Sequence, residues 1–316
     1  MIRLLHPELF QGNLKRRDYF EGWYLKHTDC AGQMVFALIP GVSLNPEDPH
    51  AFIQLIEGMG GETYYFRFPL DRFSFDTRRF SISIDKNHFS SERVLVDIKE
   101  GDFHFFCDLT YQELVPYPKS LLSPGIMGWY SFVPFMECHH GVVSMDHKVS
   151  GTCQLNEKRY SLENTRGYIE KDWGTSFPER WVWMQCNTFD LPDTSFMLSY
   201  ATIPWLSRSF NGFLCFIYTA GRVHTFATYT KARIQVLSQE NDRIKLICSD
   251  DEFELTITAV SDKSGSLSAP VKGTMTREIF ESLTATIKLD LYDRREGTQK
   301  IITGSYGGLE LCGAMV

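Results

Sequence analysis

The chain has 316 residues, 43% hydrophobic and 14% aromatic, with a formal charge of −7 and a sequence pI near 5.7. That length can bury a large core and leaves room for two domains. The acidic balance speaks against nucleic acid, whose phosphates demand clustered Lys and Arg; Lys15-Arg16-Arg17 is the single basic run of three and reads as a solvated turn.

In chain order, Met1-Ile2-Arg3-Leu4-Leu5-His6-Pro7 has no sustained apolar core, so no signal peptide is expected. No segment approaches the roughly 20 apolar residues of a membrane span. The expectation is a soluble, cytoplasmic protein without a transmembrane segment, with peripheral membrane contact left open. Phe20-Glu21-Gly22-Trp23-Tyr24-Leu25-Lys26 then sets aromatic rings beside an acid and a base. Lys26 follows Tyr24 at strand spacing, where it orients a phenolate, pairs with Glu21, or stands exposed.

Short strands punctuated by turns follow, at 34–39, 52–57, 64–68, 80–84 and 103–111, then at 196–202, 213–218, 223–229, 243–248, 253–260, 284–291 and 300–305. Asn45-Pro46-Glu47-Asp48-Pro49, Gly58-Met59-Gly60-Gly61 and Asp262-Lys263-Ser264-Gly265 supply turn chemistry. Regular short strands of this kind predict an all-β sandwich or barrel. Gln54 is a polar residue in an otherwise apolar strand, placed to line a barrel or to be a satisfied core amide. Cys107, Cys215 and Cys248 sit inside apolar runs and there is no Cys-x-x-Cys, which is the pattern of reduced, buried cysteine. Glu137-Cys138-His139-His140 with His147 suggests metal chemistry, but adjacent strand residues face opposite ways and no spaced set completes a tetrahedral site. The reading is no metal and no cofactor.

The densest chemistry lies between Tyr168 and Asn187, which holds Glu170, Asp172, Trp173, Trp181, Trp183, Gln185 and Asn187. Rings beside ionisable groups are costly to bury and of little use when exposed, so the mixture indicates a ligand pocket. Residues 174–180 read as a loop and 181–189 as a strand. Alternation puts Trp181, Trp183, Gln185 and Asn187 on one face, and Val182 and Met184 on the other. Glu170 and Asp172 share one side of extended backbone, opposite Lys171 and Trp173.

The order of features repeats: a Trp motif, a strand ending at Pro40 or Pro204, then a strand and a Gly turn into another strand. Two similar antiparallel lipocalin-like β-barrels follow from this, over 1–165 and 166–316. The Trp motifs align Trp23 with Trp173.

The two motifs, 20–26 and 168–187, resemble those of the tocopherol cyclase family in order and spacing, and the resemblance runs over most of the chain. Two departures are Asp172, where family members often carry Asn, and the lack of an extension like a plastid transit peptide. The resemblance implies two barrels and a cyclase-like isomerase that closes a chromanol ring on a prenylated quinol. Such chemistry needs a protonated acid in an apolar pocket, aromatic faces for a cation, and exclusion of water. Glu170, Asp172 and Glu21 supply acids, Glu170 first because the family motif shares it. Trp23, Tyr24, Lys26, Gln54, Trp173, Trp181, Trp183, Gln185 and Asn187 are the candidate ligand-binding residues. The alternatives are a non-catalytic lipocalin-like binder of isoprenoid quinones or other lipids, and a hydratase using the same proton donor. In every case the partner is a hydrophobic small molecule.

Overall fold

A computed structural model describes residues 2–205 and 208–315. It is all-β, built from two large antiparallel sheets. The first contains β1 (Phe20–Asp29), β2 (Val35–Ser43), β3 (His50–Glu57), β4 (Glu62–Pro69), β5 (Phe73–Phe75), β6 (Ser81–Ile84), β7 (Asn87–Ser90), β8 (Arg93–Glu100), β9 (Phe103–Val115), β10 (Cys138–Leu155) and β11 (Lys158–Gly174). The second contains β12 (Arg180–Cys186), β13 (Ser195–Trp205), β14 (Arg208–Thr219), β15 (Arg222–Ala227), β16 (Arg233–Gln239), β17 (Arg243–Ser249), β18 (Phe253–Val260), β19 (Gly265–Val271), β20 (Thr274–Asp293) and β21 (Thr298–Cys312).

Strand order in the first sheet is β4-β3-β2-β1-β11-β10-β9-β8-β7-β6-β5. In the second it is β15-β14-β13-β12-β21-β20-β18-β17-β16, with β19 also on β20. Each unit therefore places its first strand between its second and its last. That shared wiring is the internal repeat, and it corrects one detail of the sequence reading. The counterpart of β1 is β12, so Trp23 corresponds to the strand of Trp181 and Trp183, while Trp173 lies on β11, the counterpart of β21. The chain passes between sheets over 175–179, and residue 165 falls inside β11.

Each sheet curls around its own apolar core. Phe36, Leu38, Ile53, Phe89, Val96 and Phe105 fill the first; Val182, Met184, Leu198, Cys215, Leu246 and Ile287 fill the second. Outer strands such as β17 and β18 alternate buried and part-exposed residues. In contrast β1, β2 and β12 are buried on both faces, because a third apolar layer joins the two sheets. Tyr24, Val35 and Ala37 enter it from the first sheet, and Trp181, Trp183, Met197 and Phe216 from the second. Strands covered on both sides read as continuous apolar runs, and these do. The long β10 escaped the sequence reading because register shifts at 142–144, 144–147 and 149–151 break its period-two pattern.

Candidate functional site

A cavity of about 180 Å³ opens in the layer between the sheets. Gly22 and Tyr24 of β1, Trp181 and Trp183 of β12, and Ile279 of β20 form apolar walls, and Phe177 and Pro178 of the linker add to them. Gly308 on β21 lets an indole lie against bare backbone, since a Cβ there would come within 2.6 Å of the Trp183 ring. His140, Glu170, Asp172, Glu281 and Glu310 line this apolar space, as do Glu137 and Cys138.

Four of the carboxyls, those of Glu170, Asp172, Glu281 and Glu310, fall into two sets. Glu281 and Glu310 are direct cross-strand partners on β20 and β21, a placement in which two like charges repel. Tyr24 donates its hydroxyl to Glu281 Oε1 at 2.5 Å, and Trp181 donates its indole N–H to Glu310 Oε2 at 2.5 Å. Burial, reinforced by Glu310, raises the Glu281 pKa well above the ordinary carboxylate value. Burial likewise lifts Glu310 to about 8; the Trp181 bond opposes this, and the charges of Glu170 and Asp172 add to it. The second set is built on His140. Its Nδ1 lies 2.9 Å from Asp172 Oδ1 and its Nε2 lies 3.4 Å from Glu170 Oε2. Burial disfavours the imidazolium, yet Glu170 and then Asp172 outweigh it and raise His140 to about 9. Burial raises Glu170 to about 7 against the pull of His140, while Tyr168 donates its hydroxyl to Glu170 Oε2 at 2.6 Å. At neutral pH this set carries the cation of His140, and the Glu281–Glu310 pair retains a proton. The donor atoms of His140, Glu170 and Asp172 lie within 4.8 Å of one another, close enough to hold a divalent cation. Glu281 Oε2 and Trp183 Nε1 are buried with no hydrogen-bond partner, the state of groups that a ligand satisfies.

The expected site residues divide. Glu170, Asp172, Tyr24, Gln54, Trp181 and Trp183 all line the cavity. Gln54 is committed to backbone, donating to Ser268 O at 3.0 Å and accepting from Ser268 N at 2.9 Å. Lys26 shares the face of Tyr24 but is spent on the sheet contact, donating to Gln185 Oε1 at 3.1 Å and to Tyr306 O at 2.5 Å. Burial lowers its pKa to about 8. Asn187 donates to Asp146 Oδ1 at 3.0 Å and Gly167 O at 2.9 Å. Gln185 and Asn187 thus share the Trp face, as alternation requires, without reaching the cavity.

Glu21, Trp23 and Trp173 do not reach it either, which corrects the expectation for all three. They point into the first barrel and surround Lys171. Glu21 pairs with the Lys171 ammonium and accepts from Tyr19 Oη at 2.5 Å, Gln11 N at 2.8 Å and Gly12 N at 3.0 Å. Lys171 Nζ sits 4.4 Å from the Trp23 ring centre and 5.1 Å from that of Trp173. The partner of Glu21 is therefore Lys171, not Lys26.

Sequence reasoning missed Glu281 and Glu310, and it named His140 only within a metal-like pattern that it set aside. The two glutamates lie just beyond the strands expected at 284–291 and 300–305. A signal was present: Glu310 stands alone in Gly308-Leu309-Glu310-Leu311-Cys312. His140 faces Asp172 across β10 and β11, a pairing that no local window reveals.

Comparison with known proteins gives the kinship. A family model described as "Tocopherol cyclase-like" matches residues 107–313. Over 62 residues the chain is 37% identical to "Probable tocopherol cyclase, chloroplastic" of Oryza sativa subsp. japonica and to "Tocopherol cyclase, chloroplastic" of Zea mays. Those stretches cover 20% of this chain and only 13% of each plant protein. Among solved structures, CghA with Sch210972 is similar with a TM-score of 0.60 at 10% identity, over 93% of this chain and 88% of that one. Kievitone hydratase from Nectria haematococca is similar with a TM-score of 0.53 at 10% identity, over 98% and 94% of the two chains. A putative AttH from Nitrosomonas europaea is similar with a TM-score of 0.53 at 15% identity, over 93% of each chain. These likenesses share the fold. The model match, covering well over half of the chain, places this protein in the tocopherol cyclase-like family.

Proposed function

We propose that this protein is an enzyme of the cyclase or hydratase type, one that protonates a carbon–carbon double bond of an apolar ligand held between the two sheets. The observation that carries the reading is the Glu281–Glu310 pair, two carboxyls directly opposite each other in an aromatic cavity. Like charges so placed do not both ionise near neutrality, so the pair holds a proton ready for transfer. A general acid needs a carboxyl that stays protonated near neutrality, and this arrangement supplies one. The donor role expected for Glu170 passes to this pair in our reading, because the neighbouring His140 cation favours the ionised form of Glu170 while Glu310 and Glu281 are raised further.

With a prenylated quinol the steps balance. The proton forms a C–H bond at the less substituted alkene carbon and the π bond breaks. The tertiary cation that results faces the rings of Tyr24, Trp181 and Trp183. The phenolic oxygen forms the C–O bond, its proton returns to the carboxylate pair, and the net change is an isomerisation to a chromanol. The cation of His140 draws Glu170 down to about 7 against its burial, so the Glu281–Glu310 pair is the one that holds its proton more firmly. Capture by water would give a hydrated product instead. One observation favours that second reading: Gln54, Leu267 and Ser268 also border a polar cavity of about 220 Å³ lined by Thr63, Ser266, Thr276 and Glu278, a route for water.

The test is the pH profile of conversion of a prenylated quinol under anaerobic conditions. The Glu310 pKa is raised from 4.5 to about 8, so the donor form is present below that value and disappears as pH rises through it. Turnover should be high on the neutral side and fall through about pH 8. A rate that climbs through the same range would remove the carboxyl pair from the role of donor.

A further inference from the structure

Residues 116–137, the connection between β9 and β10, face two ways. Met127, Tyr130 and Met136 line the cavity. Leu121, Leu122, Trp129, Phe132 and Phe135, from the same segment, are 78%, 83%, 51%, 47% and 77% exposed. Trp205, at the end of β13, joins them: it is 39% exposed and its indole N–H donates to Pro134 O at 3.2 Å. Its neighbours Ile203 and Pro204 line the cavity. Large apolar side chains scattered singly need no explanation, but six gathered beside one cavity mark a surface that meets something apolar.

Charge narrows the partner. The whole chain carries −7, yet the segments beside the mouth are basic. Lys119 is the sole charge from 116 to 136, Arg208 the sole charge from 201 to 213, and Lys231 and Arg233 the charges from 227 to 233. The last of these segments is tied to the loop by Tyr229, whose hydroxyl donates to Ile126 O at 2.7 Å. The N-terminal arm docks alongside through the Glu8–Lys119 ion pair at 3.2 Å and brings Lys15, Arg16 and Arg17, all exposed. Against these bases stand Asp18, Glu137 and Glu8, the last paired with Lys119.

We propose that this face docks on a lipid bilayer bearing anionic headgroups, with Leu121, Leu122, Trp129, Phe132, Phe135 and Trp205 entering the interfacial region. A bilayer accepts an apolar cluster that has no matching contour, and its negative surface attracts the basic rim of a protein that is acidic overall. Because the same loop lines the cavity, a lipid-soluble ligand passes between bilayer and cavity without crossing water. The inference rests on the loop and its charges, and it holds whether or not the acid pair turns the ligand over.

The experiment is flotation of the full chain with vesicles of phosphatidylcholine alone or mixed with phosphatidylglycerol. Binding should be strong to the anionic vesicles, weak to the neutral ones, and reduced by salt. Brominated lipid should quench tryptophan fluorescence in wild type, and less so in the Trp129→Phe, Trp205→Phe variant. The triple variant Leu121→Asp, Leu122→Asp, Phe135→Asp changes only exposed side chains, so its circular dichroism should match wild type. Its vesicle binding should fall by roughly tenfold or more. Absence of binding to anionic vesicles, or equal binding by the triple variant, would overturn the proposal. So would a wild-type dimer that the triple variant dissolves, which would assign the face to a second copy of the chain.

Discussion

Glu310→Gln and Glu281→Gln are each expected to slow conversion of a prenylated quinol by about 10²–10⁴-fold, the usual contribution of a positioned acid. Gln keeps the size and the hydrogen-bonding carbonyl, so Trp181 or Tyr24 retains an acceptor while the transferable proton is gone. Either change also frees the surviving carboxyl from its like-charged partner and lowers its pKa, so the residual activity should shift to lower pH. The double variant should lose little more than the worse single one, because the two groups act as a unit. Glu170→Gln is the contrast. It should disturb His140 and weaken turnover less than either change in the pair. If Glu170→Gln alone abolished turnover while Glu310→Gln left it intact, the donor would be Glu170. A second readout separates chemistry from folding. The folded pKa of Glu310, about 8, exceeds its ordinary 4.5, so the native state holds an extra proton between those values and loses stability as pH rises across them. Gln mimics the protonated acid and removes that loss. Glu310→Gln should therefore raise the melting temperature at pH 8 relative to wild type more than at pH 5.

Lys171→Met should lower stability by about 3–5 kcal/mol, the cost of leaving one partner of a buried ion pair alone. Lys171 and Glu21 are both fully buried in the first barrel, and water cannot replace the lost partner. The ammonium also donates to Pro7 O at 2.9 Å and to Leu9 O, and faces Trp23, so the N-terminal arm should loosen with it. Glu21→Gln on the Lys171→Met background should recover part of the loss, since an uncharged side chain tolerates burial better. Denaturant titration measures all three proteins. A loss below about 1 kcal/mol, the level of an exposed pair, would mean that the site is wetter than its burial indicates.

Much of this architecture was legible before any coordinates. Alternation alone put Val182 and Met184 in one environment and Trp181 and Trp183 in another, and the former fill a barrel while the latter line the cavity. The repeat was legible from strand order, because both units wire their strands alike. It misaligned Trp23 with Trp173 because a Trp beside an acid marks both β1 and β11, two strands that pair with each other. Glu21 looked catalytic for a similar reason. Only the direction of its side chain distinguishes an acid inside a barrel from one facing the gap between barrels. β10 was lost because its bulges hide its period, and with it the pairing of His140 with Asp172. Glu281 and Glu310 meet only when residues about thirty apart are paired across β20 and β21, a contact that sequence separation conceals.

The most direct measurement is turnover of a prenylated quinol by wild-type protein in D₂O, with the product analysed by mass spectrometry and NMR. Carboxyl protons exchange with solvent, so an acid that protonates the alkene must deliver deuterium to carbon. The account predicts a chromanol with one carbon-bound deuterium, on the carbon next to the new quaternary centre. Hydration would place the same deuterium in a product that has also gained water. A chromanol free of carbon-bound deuterium would contradict acid catalysis by the cavity, and tight binding with no conversion would make this protein a carrier for that ligand.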